Sequence, residues 1–498
     1  MASMADVTVR PIIGLEIHVQ LATRTKMFCG CPLEFAAEPN SRTCPVCLGM
    51  PGTLPVMNRA AVEFALKAGI ALNCQIARFS KWDRKSYYYP DMPKNYQISQ
   101  YDLPLSHDGY FEIPKADGAL KRIGIIRAHL EEDAGKNLHD GLDHTRVDLN
   151  RAGTPLLEIV TRPELANADE AYSFCVELQR LVQHLGISEA NMQKGQMRFE
   201  PNVNVAITER GTEYRTPISE IKNLNSFRSV RLAIAHEIAR QLAAWREDHD
   251  YTLANKGKMN FGWDDVREVT EFQRGKEESH DYRYFPDPDL VPVVVDDDLI
   301  DRLRGEVGEL PLAKQRRFME HYGMTEKDCE VILADRATGA LYDDSVSAGA
   351  EPKTLTRQFV GIWNHLASAR GVSISKLDVN AAKRAALAML VTSGSVGATA
   401  AMQIAERLVA EGGDPLDIAT RAGLLQVRDE TATMAWVDQA FAENPQAVSD
   451  ALGENPKKSK AAPGFLRGQV MKVSQGKADP KLAGELIKKK LTELKTKG

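Results

Sequence analysis

Residues 12–19, Ile-Ile-Gly-Leu-Glu-Ile-His-Val, carry the pattern that decides the fold of the front of the chain. Apolar side chains alternate here with Glu16 and His18, as in a β-strand that buries one face and presents polar groups on the other. Residues 124–130 and 202–207 show a similar alternation. The sequence therefore predicts a sheet with one apolar face and one face available for chemistry.

Two stretches with helical spacing of apolar residues, 170–185 and 229–245, interrupt these strand patterns. After Pro292 the strand pattern ends, and the chain becomes rich in Ala, Leu, Lys and Glu, which favour helices. We predict an α+β fold with a mixed, largely antiparallel sheet flanked by helices. The predicted domains are an α/β body, an all-α middle domain and a small all-α tail domain, at residues 1–297, 298–422 and 423–498.

The composition is that of an ordinary globular protein, with 498 residues, 43% hydrophobic and 26% charged. That length predicts about three domains. No apolar run reaches the roughly 18 residues of a membrane span, and the N-terminus has neither an apolar run nor an Arg-rich amphipathic stretch. We expect a cytoplasmic protein with no membrane association.

The formal net charge of −5 hides an uneven distribution. Residues 457–498 contain twelve Lys or Arg but only three acidic residues, so the rest of the chain is acidic. A basic tail on an acidic body is typical of proteins that bind a polyanion, most often nucleic acid. A solvated terminal helix explains the same composition equally well, and Asp479 followed by Pro480 marks the start of such a helix.

Four of the seven cysteines lie close together, as Cys29-x-Cys31 and Cys44-x-x-Cys47. Four thiolates at this spacing favour a structural Zn²⁺ in a closed tetrahedral site, with no open position for catalysis. The alternative is four free thiols. The remaining cysteines are scattered, which is typical of buried residues in a reducing compartment.

Acidic and imidazole side chains recur at two-residue spacing on the predicted strands. Glu16 and His18 share one strand face, as do His129 and Glu131, and Glu158 lies in another apolar strand. Burying such carboxylates is costly unless they have a partner, and a hard cation such as Mg²⁺ would supply one. Internal salt bridges or a solvent-facing strand face are the alternative.

A Tyr- and Lys-rich segment, residues 83–102, predicts a rigid, exposed, polar-aromatic loop, and residues 280–289 are similar. Lysine can contact phosphate and tyrosine can stack on a base, although such loops also cap cores. The chain has no phosphate-binding loop, no dinucleotide fingerprint and no serine-nucleophile motif. A self-contained hydrolase is therefore not expected.

Several long motifs together resemble one family, the GatB subunits of the aspartyl/glutamyl-tRNA amidotransferases. Among them are Gly-Leu-Glu-Ile-His-Val-Gln ending at residue 20 and Tyr-Tyr-Tyr-Pro-Asp-Met-Pro-Lys ending at residue 94. The segments that carry the resemblance occur in order along nearly the whole chain, at residues 13–20, 85–101, 129–136, 148–160, 220–228, 281–290 and 468–477.

This resemblance implies a ligase that forms a carbon–nitrogen bond with glutamine as the amido donor. The family converts misacylated Glu-tRNA(Gln) or Asp-tRNA(Asn) to the amide form in protein biosynthesis. ATP first phosphorylates the side-chain carboxylate, because oxide is too poor a leaving group for ammonia to displace. Ammonia comes from a partner amidase (glutaminase), and a small third partner protein completes the heterotrimer.

The resemblance also implies roles for individual residues in a cradle-like kinase and transamidase domain. Glu131 would deprotonate or gate the arriving ammonium, and the basic tail would hold the tRNA. We add Arg151 as a phosphate clamp. The other implied groups are Mg²⁺ ligands (Glu16, His18, Glu131, Glu158), lysines beside the ATP phosphates and the ammonia exit (Lys85, Lys94), and zinc ligands (Cys29, Cys31, Cys44, Cys47).

One segment departs from the family pattern, because residues 193–200 replace an acidic run and Glu200 stands where Asp is usual. A role for this segment as a second cation site is therefore open. A non-catalytic, zinc-containing tRNA-binding adaptor is the alternative function. The archaeal relative specialised for Glu-tRNA(Gln) carries an inserted domain, for which this length leaves no room.

Overall fold

The computed structural model of the chain describes residues 7–138, 141, 143–275, 282–426, 429–453, 455–474 and 476–497. The chain divides into two compact units, Met1–Pro311 and Leu312–Gly498. A sheet-rich body is followed by a helical region, so the predicted α+β fold is confirmed.

The strands of the described residues all belong to the first unit. They are β1 Val7–Gln20, β2 Gln75–Ile76, β3 Phe79–Ser80, β4 Asp83–Ser86, β5 Tyr96–Ser99, β6 Ser106–Pro114, β7 Leu120–Glu132, β8 Lys136–Leu138, β9 Arg146–Asp148, β10 Pro155–Thr161, β11 Met197–Glu209, β12 Thr212–Arg215, β13 Ile218–Lys222, β14 Lys258–Asp264, β15 Val269–Arg274, β16 Phe285–Pro286 and β17 Val293–Val294.

The α-helices of the first unit are α1 Arg59–Ala71, α2 Ala168–His184, α3 Phe227–Glu247, α4 Leu253–Lys256 and α5 Asp297–Val307. Those that follow are α6 Pro311–Tyr322, α7 Glu326–Ile332, α8 Arg336–Ser347, α9 Pro352–Arg357, α10 Asn364–Ala369, α11 Ala381–Thr392, α12 Ala398–Glu411, α13 Pro415–Arg421, α14 Glu430–Glu443, α15 Pro445–Leu452, α16 Pro456–Val473 and α17 Pro480–Lys497.

The large sheet of the first unit has the strand order β15-β14-β13-β11-β1-β10-β7-β6-β2, and β12 pairs with β11. Among the pairs that the described residues form, β13 and β14 run parallel and the others antiparallel. The central strands β11, β1, β10 and β7 come from distant parts of the sequence. Their side chains therefore meet only in the folded protein.

One face of this sheet is apolar and packs against helices. Ile17 belongs to the same buried core as residues of α1, α2 and α3, for example Phe174 and Val230. The Asn167 side chain caps α2 by accepting a hydrogen bond from the Glu170 amide. Because side chains alternate along a strand, Glu16 and His18 lie on the opposite face.

The segment predicted as a polar-aromatic loop contains two short strands. β4 and β5 pair with each other, and β16 joins them to form a small separate sheet. The loop prediction missed β4 and β5 because each has only four residues and is mostly polar. It missed β16 because that strand comes from a distant part of the sequence. Residues 280 and 281 of the similar predicted run lie outside the described residues.

The second unit is built of helices around two hydrophobic clusters, with residues 318–419 in one and 437–491 in the other. Asp479 caps α17, as predicted, through hydrogen bonds from the amides of Lys481 and Leu482. α5 packs into the core of the first unit. The two predicted domain boundaries, after residues 297 and 422, stay predictions.

The described helices include none with the length and apolar content needed to cross a membrane.

Candidate functional site

The register of four neighbouring strands places polar side chains in a row. His18 of β1 lies opposite Glu158 of β10, which lies opposite His129 of β7. On the other side, His18 lies opposite Arg198 of β11. Since the partners of a register share a sheet face, these groups point into one region.

Four predicted cation ligands meet in this region. The Nε2 atom of His18 lies 3.5 Å from Glu131 Oε1, 3.6 Å from Glu158 Oε2 and 3.8 Å from Glu16 Oε1. His129 joins them, because its Nε2 lies 3.8 Å from Glu158 Oε2. We call these five residues the acid–histidine cluster.

Burial and mutual charge shift the protonation of this cluster. Burial opposes protonation of His18, but contact with Glu158 and the charge of Glu131 outweigh it and raise the pKa of His18 to about 9. Burial lowers the pKa of His129 to about 4. Burial and then the charge of Glu158 raise the pKa of Glu131 to about 7. At neutral pH His18 therefore carries a charge that offsets its acidic neighbours.

The cluster fits a divalent cation. Two triads, Glu16–His18–Glu158 and His129–Glu131–Glu158, each offer three ligand atoms within 4.8 Å of one another. Adjacent ligands of Mg²⁺ at about 2.1 Å are about 3 Å apart, so small side-chain movements would complete such a site. His18 Nδ1 and His129 Nδ1 are buried and have no hydrogen-bond partner among the described residues.

A third acidic group continues the cluster along the sheet. The carboxylates of Glu16, Glu200 and Glu220 lie within 4.8 Å of one another, and Lys222 Nζ lies 2.6 Å from Glu200 Oε2. Glu200 has one more methylene than the aspartate that is usual at this position, and its carboxylate still reaches those of Glu16 and Glu220.

Arg198, Glu220 and Lys222 are residues of this site that were not predicted from the sequence. A signal was present, because Arg198 precedes Glu200 by two residues and Glu220 precedes Lys222 by two. This is the same spacing that drew attention to Glu16 and His18. What the spacing could not indicate is that β11 is adjacent to β1, and β13 to β11.

Lys85, on β4, lies beside the acid–histidine cluster. Its Nζ is 4.6 Å from the centre of the Tyr282 ring. Burial opposes the charge of Lys85, but Glu131, together with Tyr284 and Tyr282, outweighs it and raises the pKa of Lys85 above its usual range. Lys85 therefore carries a positive charge that interacts with the charge of Glu131.

Lys94 pairs with a different carboxylate. Its Nζ contacts Glu132, which follows Glu131 on β7 and so points to the other side of that strand. Gly49 lies against the Lys94 side chain with a φ of +66°, and an added Cβ would come within 2.5 Å of Lys94 Cγ. Lys94 and Glu132 line a cavity of about 220 Å³ beside Cys29. The structure therefore does not place Lys94 with Lys85.

Arg151 is engaged with backbone. Its guanidinium donates to Ala134 O at 2.9 Å and to Gly135 O at 2.6 Å. Its Nε also lies 3.5 Å from Asp133 Oδ2, while Arg198 Nη2 donates to Asp133 Oδ1 at 3.1 Å. Through these contacts Arg151 holds the segment that follows β7 in place.

The four clustered cysteines come together as a possible metal site. Their sulfur atoms all lie within 4.8 Å of one another. Lys26 Nζ lies 3.5 Å from Cys47 Sγ, and the Cys44 amide donates to the same sulfur at 3.2 Å. The hydrogen bond from Cys29 is the main cause that lowers the pKa of Cys47 to about 4. Four thiolates on one Zn²⁺ lie about 3.8 Å apart, so the set fits this ion.

Two family models match this chain. The GatB/GatE catalytic domain matches residues 11–301, more than half of the chain and all the predicted catalytic and metal-binding residues. The GatB domain matches residues 340–491. The sheet body with its acid–histidine cluster is therefore of the GatB/GatE catalytic class.

Comparison with individual proteins shows to which family within this class the chain belongs. The chain is 42% identical to a protein of Thermoanaerobacter sp. strain X514 over 97% of this chain and 99% of that one. It is 43% identical to one of Rhodopirellula baltica over 96% of each chain. Both are named as aspartyl/glutamyl-tRNA(Asn/Gln) amidotransferase subunits of the B type. The chain belongs to this GatB family, so the resemblance seen in its motifs is confirmed.

Proposed function

We propose that this chain activates the side-chain carboxylate of misacylated Glu-tRNA(Gln) or Asp-tRNA(Asn) with ATP and then forms the amide. The observation that carries the proposal is the acid–histidine cluster, with Lys85 beside it. Clustered carboxylates on strands serve metal-assisted phosphoryl transfer, whereas a tRNA-binding adaptor has no need of them.

The reaction has two steps. An oxygen of the substrate carboxylate attacks the γ-phosphorus of ATP, and ADP leaves. Ammonia then attacks the acyl carbon, and phosphate departs as the acyl C–O bond breaks. Lys85 supplies a positive charge for the phosphate oxygens. Glu131 accepts a proton from arriving ammonium, because the neutral amine is the nucleophile.

In this proposal Glu16, His18, Glu131 and Glu158 would hold Mg²⁺, and His18 would lose its proton when it binds the cation. The cation, when bound, offsets the charge of the triphosphate. Arg151 acts as a phosphate clamp only if it releases the carbonyl groups that it now contacts. Lys94 and Glu132 line the route by which ammonia reaches the site.

The remaining roles are inferred from the family and from the positive charge of residues 457–498. The four cysteines bind a structural Zn²⁺, and the basic tail holds tRNA. A partner amidase (glutaminase) supplies ammonia, and a small third partner protein completes a cytoplasmic heterotrimer. The three domains proposed are residues 1–297, 298–422 and 423–498.

The test is Glu131→Gln in the complex reconstituted with its partner proteins. Amide formation from each aminoacyl-tRNA, offered separately with ATP, should fall about 10²-fold or more. Affinity for tRNA, measured by filter binding without ATP, should stay the same, because the substitution changes one buried oxygen. Comparing the two aminoacyl-tRNAs also identifies the substrate.

Glu213→Gln is the matched control, since Glu213 is a glutamate on β12 whose side chain is 44% exposed. This variant should amidate like the unmodified protein. If Glu131→Gln lowers tRNA binding and amidation to the same extent, the adaptor function replaces the catalytic one.

A further inference from the structure

Three tyrosine rings within residues 87–101 are open to solvent. Tyr88, Tyr89 and Tyr101 are 67%, 54% and 58% exposed. A ring that only caps a core buries most of its surface, whereas exposed aromatic groups in a cluster mark interaction sites.

Tyr101 connects to the site through a short series of rings. The Tyr101 ring stacks on Tyr284 with centres 4.2 Å apart and an interplanar angle of 12°. Tyr284 lies 6.3 Å from Tyr282, and Tyr282 is the ring beneath the Lys85 ammonium. The exposed side of Tyr101 therefore lies at the outer end of a path of rings that begins at Lys85.

The backbone that carries these rings is held firmly. The Tyr101 amide donates to the buried carboxylate of Asp83 at 2.9 Å. Pairing of β16 with β4 fixes the segment that carries Tyr284, and Arg84 Nε donates to Asp287 at 2.7 Å across this pairing. A ring held in place in this way loses little conformational entropy when a ligand stacks on it.

We propose that the exposed side of Tyr101 stacks on an adenine base of a substrate. The inference rests on the proposed function, which supplies two sources of adenine, the 3′-terminal adenosine of tRNA and ATP. Lys85 at the inner end of the path takes phosphate or carboxylate oxygens, and the tyrosines at the outer end take a flat base. Stacking needs no sequence-specific hydrogen bond, because every base has a π face.

The test uses the full chain in its complex and compares Tyr101→Leu with Tyr101→Phe. Leucine keeps apolar bulk over Tyr284 but removes the π face, whereas phenylalanine retains it. Affinity is measured without ATP for tRNA with its complete CCA end and for the same tRNA lacking the terminal adenosine. The KM for ATP is measured separately.

If tRNA supplies the base, the unmodified protein and Tyr101→Phe bind the complete tRNA more tightly than the shortened one. Loss of one stacked base should lower the affinity roughly 5- to 150-fold. Tyr101→Leu abolishes this preference. If ATP supplies the base, Tyr101→Leu raises the KM for ATP by a similar factor and leaves the preference intact.

Tyr172→Ala is the control, since Tyr172 is a partly exposed tyrosine on α2, on the helical face of the sheet. If Tyr101→Leu matches the unmodified protein in both measurements, the proposal is wrong. The tRNA measurement does not depend on amide formation, so its failure is distinct from a failure of the proposed function.

Discussion

Lys222 is the closest cation to the acidic group formed by Glu16, Glu200 and Glu220. Its Nζ lies 2.6 Å from Glu200 Oε2 and 3.6 Å from Glu220 Oε1. Burial opposes the charge of Lys222, but Glu200 and Glu220 outweigh it and raise the pKa of the lysine. Lys222 thus stabilises carboxylates that repel one another.

Lys222→Met should therefore destabilise the protein in the presence of a chelator. Methionine keeps most of the side-chain length but removes the cation closest to Glu200, and among the described residues only Lys258, 3.3 Å from Glu220 Oε2, is left as an ion-pair partner of Glu220. The cost should be about 1–2 kcal/mol, less than for a fully buried pair because the lysine is about a third exposed. Calorimetric unfolding should show a lower midpoint, and Mg²⁺ should restore more of it than in the unmodified protein.

The control for this variant is Lys115→Met, which removes a lysine from an exposed pair with Asp117. Its midpoint should barely change. Equal midpoints for Lys222→Met and the unmodified protein in chelator would show that the acidic group does not depend on Lys222.

Among the structural elements, the segment of residues 29–47 carries the four clustered cysteines, and zinc removal shows whether a metal orders it. If the four sulfurs bind Zn²⁺, the purified chain should contain about one zinc per molecule by elemental analysis. Cys31→Ser should lose zinc and become sensitive to proteolysis between the two cysteine pairs. Cys74→Ser should keep the metal, because Cys74 is outside the group. A zinc-free protein that resists proteolysis would contradict this expectation.

The strands were predictable where local pattern determines structure. Alternating side chains along β1 put Glu16 and His18 on one face, and apolar spacing predicted α2 and α3 to within two residues at each end. Strand neighbours were not predictable, because β1 pairs with β10 and β11 from far along the chain. The position of Arg198 follows from the pairing of β1 with β11, and that of Lys222 from the pairing of β11 with β13.

At the scale of the whole molecule, charge is divided between an acidic body and a basic tail. Some tail lysines are paired, as Lys489 is with Glu430. Others line a groove of about 460 Å³ between α16 and α17, and Arg467, Lys488 and Lys495 form no ion pair with any described residue. The groove also contains Gly464 and Gly484, which leave room beside these cations.

Replacing Arg467, Lys488 and Lys495 together by glutamine should weaken tRNA binding and flatten its salt dependence. Each phosphate contact contributes about 0.7–0.9 to the slope of log K against log salt, so the slope should fall by about 2–3. A matched triple variant of exposed cations in the first unit, Arg10, Lys115 and Arg267 to glutamine, has the same change in net charge and should keep the slope. An unchanged slope in the tail variant would mean that α17 is a solvated helix and that tRNA contacts lie elsewhere.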